Sequence, residues 1–270
     1  MRLLLIDGTN VLMRCASVVV PGADSTATAE QVRKVVSLVD GLFERAAYDL
    51  EASHVIVCWD LPVGGSERKT LYPGYKASRS GKTAFWLAEC RPGLGRWHGM
   101  SIPGWEADDV IATVTYRVVH SARMAKAVVL VLSQDSDLLQ LASVAQVYRF
   151  GRDGEPWIVH MSTESVQAKY GVVPADITTL KALAGEPGDD VPGPFGKHCI
   201  SRATKILRDV YSFDHGGDVD DILLEAQRLN LLTVRQYGDA RQAYDVLRLR
   251  TDLDLPPIRP SQCTYTPRTK

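Results

Sequence analysis

Residues 127–135 read AVVLVLSQD, an apolar run that closes on a short polar step and an acid. A run of this length without polar alternation fits a strand buried on both faces, as in a parallel sheet. The same pattern recurs at 3–7 (LLLID) and 54–60 (HVIVCWD), each ending in an aspartate. AQVYRF (145–150) and WIVHM (157–161) read as further strands around a glycine-bearing turn at 151–154. Between the strands, residues 27–48 carry Val32, Val35, Val36, Val39, Leu42 and Phe43 at helical spacing, and 107–123 has a similar pattern. Strands alternating with helices predict an α/β fold, a mostly parallel central sheet flanked by helices.

From about residue 174 the strand pattern stops. Segments 175–184, 200–211, 219–229 and 239–249 read as helices, and the tail after Leu255 as extended. The expected division is an α/β core over 1–174, including a loop region at 77–100, followed by a helical region over 175–270.

Composition narrows the function classes. With 45% hydrophobic residues in 270, a large core is affordable, and no stretch approaches the roughly 18 apolar residues of a membrane span. Asp7 interrupts the N-terminal apolar run too early for a secretory leader, so a cytoplasmic protein is expected. Cys15, Cys58, Cys90, Cys199 and Cys263 include no CxxC pair, which argues against a disulfide framework and a zinc cage; Cys15 and Cys58 are expected in the core. The formal net charge of −1 does not advertise nucleic-acid binding, but clustered acids would mask a basic groove in that sum.

The acids cluster by position. In an open parallel sheet, sites form outside the carboxyl ends of the strands. Asp7 and Asp60 end two runs, and Asp135 and Asp137 follow a third. Glu106, Asp108 and Asp109 follow the short extended piece MSIPGW, and Glu186, Asp189 and Asp190 lie in GEPGDDVPG. Singly, each suits a turn or helix start, and three acids in four positions would face the positive end of a helix dipole. Jointly, they converge on one sheet edge. Such a cluster must be protonated or neutralised. Oxygen donors without Cys or His suit Mg²⁺ or Mn²⁺, and two such ions about 3.5–4 Å apart act on phosphodiesters. The stretch SERKTLYPGYKASR (66–79) offers Arg68, Lys69, Lys76 and Arg79 with Tyr72 and Tyr75, a phosphate-and-base pattern following the acid of the second strand. Two lookalikes fail: IDGTN has Leu5 where a DxDGT phosphatase needs its nucleophile, and SGKT at 80–83 has Lys76 where a P-loop needs glycine.

Taken in order, LLLIDGTN, CWD with RKTLYPGYKASR, GWEADDVIAT, LSQDSDLLQL, LKALAGEPGDDVPG and LRLRTDLDL make the sequence resemble the 5′-nuclease superfamily. This comprises the 5′–3′ exonuclease domain of bacterial DNA polymerase I and the phage and cellular flap endonucleases. The resemblance runs from about residue 3 to 255. It implies a PIN-like 5′-nuclease fold and a metal-dependent 5′–3′ exonuclease or flap endonuclease, with a variant helix–hairpin–helix-like part holding duplex DNA. It implies one metal site from Asp7, Asp60, Glu106 and Asp108, with Asp109 serving both sites. A second group would comprise Asp135, Asp137, Asp189 and Glu186, the last where aspartate is usual. Lys76 would be the catalytic lysine, Arg79 its companion on the same helix turn, and Tyr75 a stacking partner for a base. Arg68, Lys197, Arg202 and Lys205 would meet nucleic acid.

Some residues depart from that pattern. Glu67 replaces phenylalanine, Asp190 replaces asparagine, and GPFGKHCISRA lacks the central glycines of the family's hairpin, so its monovalent-cation site does not carry over. The arch segment 80–99 is short and interrupted by Pro92, Gly93 and Gly95. The implied partners are DNA 5′ ends, flaps and junctions, and RNA of RNA–DNA hybrids, bound by a monomer. A PIN-type ribonuclease shares the acidic edge but not YPGYKASR or the helical C-terminal region. A catalytically weakened junction-binding paralogue is the remaining alternative, kept by Glu186 and the altered hairpin.

Overall fold

A computed structural model describes residues 1–23, 26–61, 65–79, 81–196, 198–210 and 218–268. Six strands form one sheet: β1 (Arg2–Asp7), β2 (His54–Cys58), β3 (Gly99–Met100), β4 (Val128–Leu132), β5 (Gln146–Phe150) and β6 (Ile158–Met161). Their order is β3-β2-β1-β4-β5-β6, parallel throughout except for the antiparallel β5–β6 pair. The helices are α1 (Gly8–Val19), α2 (Ala29–Asp49), α3 (Ser66–Leu71), α4 (Lys82–Cys90), α5 (Ala107–Val119), α6 (Thr163–Tyr170), α7 (Ile177–Ala184), α8 (Ile200–Val210), α9 (Val219–Arg228), α10 (Val234–Leu247) and the short α11 (Pro260–Cys263).

The strands are apolar on both faces because both faces are covered. Leu4 and Ile6 of β1 pack among Val11 and Leu12 of α1 and Val35, Val39 and Phe43 of α2. Leu3 and Leu5 point the other way, into Val110, Ile111 and Val114 of α5. That second cluster runs on through Ile177, Leu180, Ile206 and Leu223, so the helical region shares it. Each such side chain contributes about 1.5–3 kcal/mol of transfer free energy.

Five helices lie outside the sequence expectation: α1, α3, α4, α6 and the short α11 are not among the predicted elements. In α1 the strand-ending Asp7 is also the N-cap, accepting a hydrogen bond from Asn10 N at 2.9 Å, so strand and helix abut without a turn. Gly8 makes this corner possible: a Cβ there would lie 2.5 Å from Val57 Cγ1 and 2.8 Å from the Trp59 ring. α10 begins at Val234, five residues before the expected start, because Thr233 and Gln236 form a capping box upstream of Gly238. β2 ends at Cys58, leaving Trp59 and Asp60 in the loop beyond.

In the loop region, α4 stops before Pro92 and is anchored by the fully buried Trp86, whose Nε1 donates to Ala23 O at 2.9 Å. The tail is not wholly extended: after α11, Thr264 bridges His54, and the Tyr265 ring stacks on Trp97 at 6.1 Å. Cys15 and Cys58 are buried thiols, as expected. Among the described residues, no helix is long and apolar enough to cross a membrane.

Candidate functional site

The parallel register brings the strand ends together. Asp7, Asp60, Glu106, Asp108 and Asp135 line one cleft of about 400 Å³, with Lys76, Arg79, Asn10, Arg14 and Thr83. Asp7 Oδ2 accepts from Ser133 Oγ at 2.7 Å, while its Oδ1 caps α1. Asp60 Oδ1 accepts from Ala107 N at 2.7 Å, tying the loop after β2 to the start of α5, and Asp60 N donates to Thr9 Oγ1 at 2.9 Å. Asp108 Oδ1 accepts from Asp109 N at 2.7 Å, and Asp135 Oδ1 from Asp137 N at 2.9 Å. The second oxygens of Asp60, Asp108 and Asp135 carry no hydrogen bond or ion pair among the described residues.

Glu106 is the N-cap of α5, so the helix-start reading of its turn holds. Its carboxylate also accepts from Lys76 Nζ at 2.6 and 2.7 Å, from Tyr75 Oη at 2.7 Å, and from the Arg68 guanidinium. Burial opposes its ionisation, but Lys76 and Arg68 prevail and hold the carboxyl down at about 2. Its neighbours move the other way. Burial, then Asp60, raises Asp7; burial, then Glu106, raises Asp60 to about 6; burial, then Asp108, raises Asp109 to about 7.

A second group lies at the 186–191 turn. Gly185, at φ 79°, lets this turn close: a Cβ there would meet Gly193 N at 2.6 Å. Lys181 of α7 reaches Asp137, and its Nζ lies 2.9 Å from Glu186. Asp189 accepts from Arg79 Nη2 at 2.6 Å and lies 3.9 Å from Lys76 Nζ. Asp190 Oδ2 accepts from Ser78 N and Oγ at 2.8 and 2.7 Å, stapling this turn to the 72–79 segment.

Several expected roles do not match the placements. Arg68 is only 4% exposed and donates to Asp109 at 2.8 Å, so it is an internal strut, out of reach of phosphate. The Tyr75 ring is 2% exposed, buried beside Ala182 and Val246, and offers no face to a base. Asp109 is fully buried and accepts from Arg250 N at 3.0 Å, so it braces the interior and does not stand between two sites. Lys76 and Arg79 share a non-helical turn in which Lys76 has φ 51°, because its backbone N–H donates to Asp189 O at 2.9 Å. Arg202 and Lys205 are exposed on α8, Arg202 lying 3.8 Å over the Phe195 ring. Lys197 lies outside the described residues.

Sequence reasoning missed Thr9, Ser133 and Lys181. The first two are hydroxyls beside strand-end acids, a signal that was present. Lys181 reads as an ordinary helix lysine until the 186–191 turn folds over it.

Among the described residues, no three His, Cys, Asp or Glu side chains stand in metal-holding geometry, and ammonium and guanidinium groups lie against Glu106, Asp109 and Asp137. The donor set nevertheless fits a hard divalent cation. It consists of carboxylate oxygens alone, three of them unpartnered, and burial, then repulsion between neighbouring acids, raises Asp7 and Asp60, a repulsion that a cation would offset.

The thermostable DNA polymerase I of Thermus thermophilus is 29% identical over 268 residues, a match covering 94% of this chain and 29% of the polymerase. A 5′-3′ exonuclease of Halalkalibacterium halodurans is 30% identical over 204 residues, covering 71% of this chain and 64% of that protein. The chain spans less than a third of the DNA polymerase I relatives it matches. Among solved structures, a bacteriophage T5 flap endonuclease in complex with DNA and metal ions shares the fold with a TM-score of 0.67 at 20% identity, covering 93% of this chain and 90% of that one. The model of the 5′-3′ exonuclease N-terminal, resolvase-like domain matches residues 2–171, and the chain belongs to that family.

Proposed function

We propose that this chain is a metal-dependent 5′ nuclease that hydrolyses DNA phosphodiesters as a 5′–3′ exonuclease or flap endonuclease. Residues 1–174 carry the chemistry and 175–270 help to hold duplex. The observation that carries this reading is the convergence of Asp7, Asp60, Glu106, Asp108 and Asp135 on one cleft, several with one oxygen fixed and the other unpartnered. Mg²⁺ or Mn²⁺ held by these acids, with further capacity at Asp137, Glu186 and Asp189, would supply a water of lowered pKa and offset negative charge.

The chain's own residues do the rest. Backbone N–H groups and Ser133 fix the carboxylate rotamers, so little reorganisation is needed. With Glu106 committed to a cation, the Lys76 ammonium is left free to meet phosphoryl oxygens. Arg79, its side chain 54% exposed, stands at the cleft mouth to position the strand. Arg202 and Lys205 lie on α8 for duplex phosphates.

The test is a labelled 5′-flap hairpin incubated with Mg²⁺ and with chelator, in parallel with an RNA version. Asp108→Asn is expected to cut turnover by roughly 10²-fold or more while DNA binding survives. Near-normal cleavage by Asp108→Asn would sink the proposal, and preferential cutting of the RNA flap would favour the ribonuclease reading.

A further inference from the structure

Lys76 and Arg79 belong to a turn, residues 76–79, that is part of no strand or helix. Its shape is uncommon. Lys76 has φ 51° and Asp190, on the facing turn, has φ 57°, both in the left-handed region that few side chains adopt readily. Three kinds of contact tie the two turns together. Lys76 N donates to Asp189 O at 2.9 Å. The Arg79 guanidinium donates to Gly188 O at 3.2 Å and to Asp189 Oδ1 at 2.6 Å. Ser78 donates from both its N and its Oγ, at 2.8 and 2.7 Å, to a single oxygen, Asp190 Oδ2.

These contacts differ in what happens to them at work. On the nuclease reading, on which this inference rests, Glu106 and Asp189 turn to a cation and Arg79 to the strand, so the ion pairs of Lys76 and Arg79 are given up. One backbone bond and the Ser78–Asp190 pair then hold the turn. Among the described residues, neither Ser78 nor Asp190 lines the cleft, so the pair is not drawn into the chemistry. Asp190 stands where the family pattern has asparagine. The exchange keeps the acceptor oxygen and the tolerance for a left-handed backbone, and adds a charge that strengthens both bonds. We propose that Asp190, acting through Ser78, is a positioning residue that keeps the Lys76 ammonium and the Arg79 guanidinium aimed into the cleft once their own ion pairs are released.

The experiment uses the full chain, Mg²⁺ and a labelled 5′-flap DNA hairpin. Asp190→Ala should lower kcat about tenfold or more and leave KM within about twofold, because the loss is one of aim. Asp190→Asn, which can present its carbonyl oxygen to both Ser78 donors, should stay within about threefold of wild type. Ser78→Ala, which removes one of the two bonds, should fall between them. In a Lys76→Ala background, Asp190→Ala should cost less than about threefold more, since most of what it aims is already gone. Amide hydrogen exchange supplies a readout free of turnover: in Mg²⁺ without DNA, the 76–79 amides should exchange about tenfold faster in Asp190→Ala than in wild type. Full additivity with Lys76→Ala, a failure of Asp190→Asn to recover activity, or unchanged exchange at 76–79 overturns the positioning role while a wild type that cuts keeps the nuclease reading. A wild type that does not cut the hairpin in Mg²⁺ overturns that reading, and the positioning role with it.

Discussion

Arg68 gives the sharpest separation between what the sequence suggests and what the fold requires. Its guanidinium is buried and donates to Asp109 at 2.8 Å, approaches Asp108 at 3.5 Å, and pairs with Glu106. Replacing it with methionine keeps much of the volume but leaves three carboxylates short of their shared cation. Breaking a buried pair by removing one partner costs about 3–5 kcal/mol. For a chain of this size that lowers the melting temperature by about 6–20 °C. The loss should depend on pH. Without Arg68 the carboxylates can be kept neutral by protons, so the deficit at pH 8 shrinks at pH 5.5. The assay is thermal unfolding by circular dichroism, with chelator, at both pH values, for wild type, Arg68→Met and Arg68→Lys. Had Arg68 been a phosphate contact, Arg68→Met would melt like wild type and weaken DNA binding with a shallower salt slope. A fall below 2 °C at pH 8, or a larger deficit at pH 5.5, would refute the strut.

Metal-free wild type should itself lose stability as pH rises. Asp60 and Asp109 titrate at about 6 and 7 when folded, above the ordinary 3.8, so the folded state holds extra protons from about pH 4 upward and surrenders them through pH 6–7. Melting temperatures should therefore be higher at pH 5 than at pH 8 in chelator, with Mg²⁺ restoring more at pH 8; the opposite order would contradict the repulsion described. On the nuclease proposal, in which Lys76 meets the reacting phosphate, Lys76→Ala should lower kcat by about 10²–10³-fold with DNA affinity changed by less than about threefold. Equal losses in kcat and in affinity would move Lys76 to strand binding. Lys181→Met should destabilise the chelated protein by about 2–4 kcal/mol, by leaving Asp137 and Glu186 without their cation, and Mg²⁺ should recover more of that loss than it adds to wild type. An identical Mg²⁺ increment in both proteins would mean that the second acid group holds no divalent ion.

The centre of the sheet was legible because its signal is local: β1, β2 and β4 are each one apolar run, and an acid follows at the carboxyl end. That regularity sufficed to place Asp7, Asp60 and Asp135 at a common edge, and the short extended piece MSIPGW added Glu106 and Asp108. Side-chain direction was not legible. Arg68 sits on a six-residue helix, too short for periodicity to say which face turns inward. Tyr75 carries a hydroxyl that suits solvent or an internal acceptor equally well, and only the fold supplies Glu106 at 2.7 Å. Helix α1 was hidden because the residue that ends the strand also begins the helix, so no turn residues separate them.

The two acid groups form one electrostatic unit. Lys76 Nζ bonds Glu106 of the first group and lies 3.9 Å from Asp189 of the second, while Arg79 neutralises Asp189 from the same turn. That turn is fixed to the second group by Lys76 N to Asp189 O and by the Ser78–Asp190 contacts. Arg68 then ties Glu106 to Asp109, which in turn accepts from Arg250 N near the far end of the chain. A cation entering at either group changes the partners available to Lys76, and through it the charge balance of the other. Substitutions at Glu106 and Asp189 should therefore be non-additive by about 0.5–3 kcal/mol. Independent sites would add.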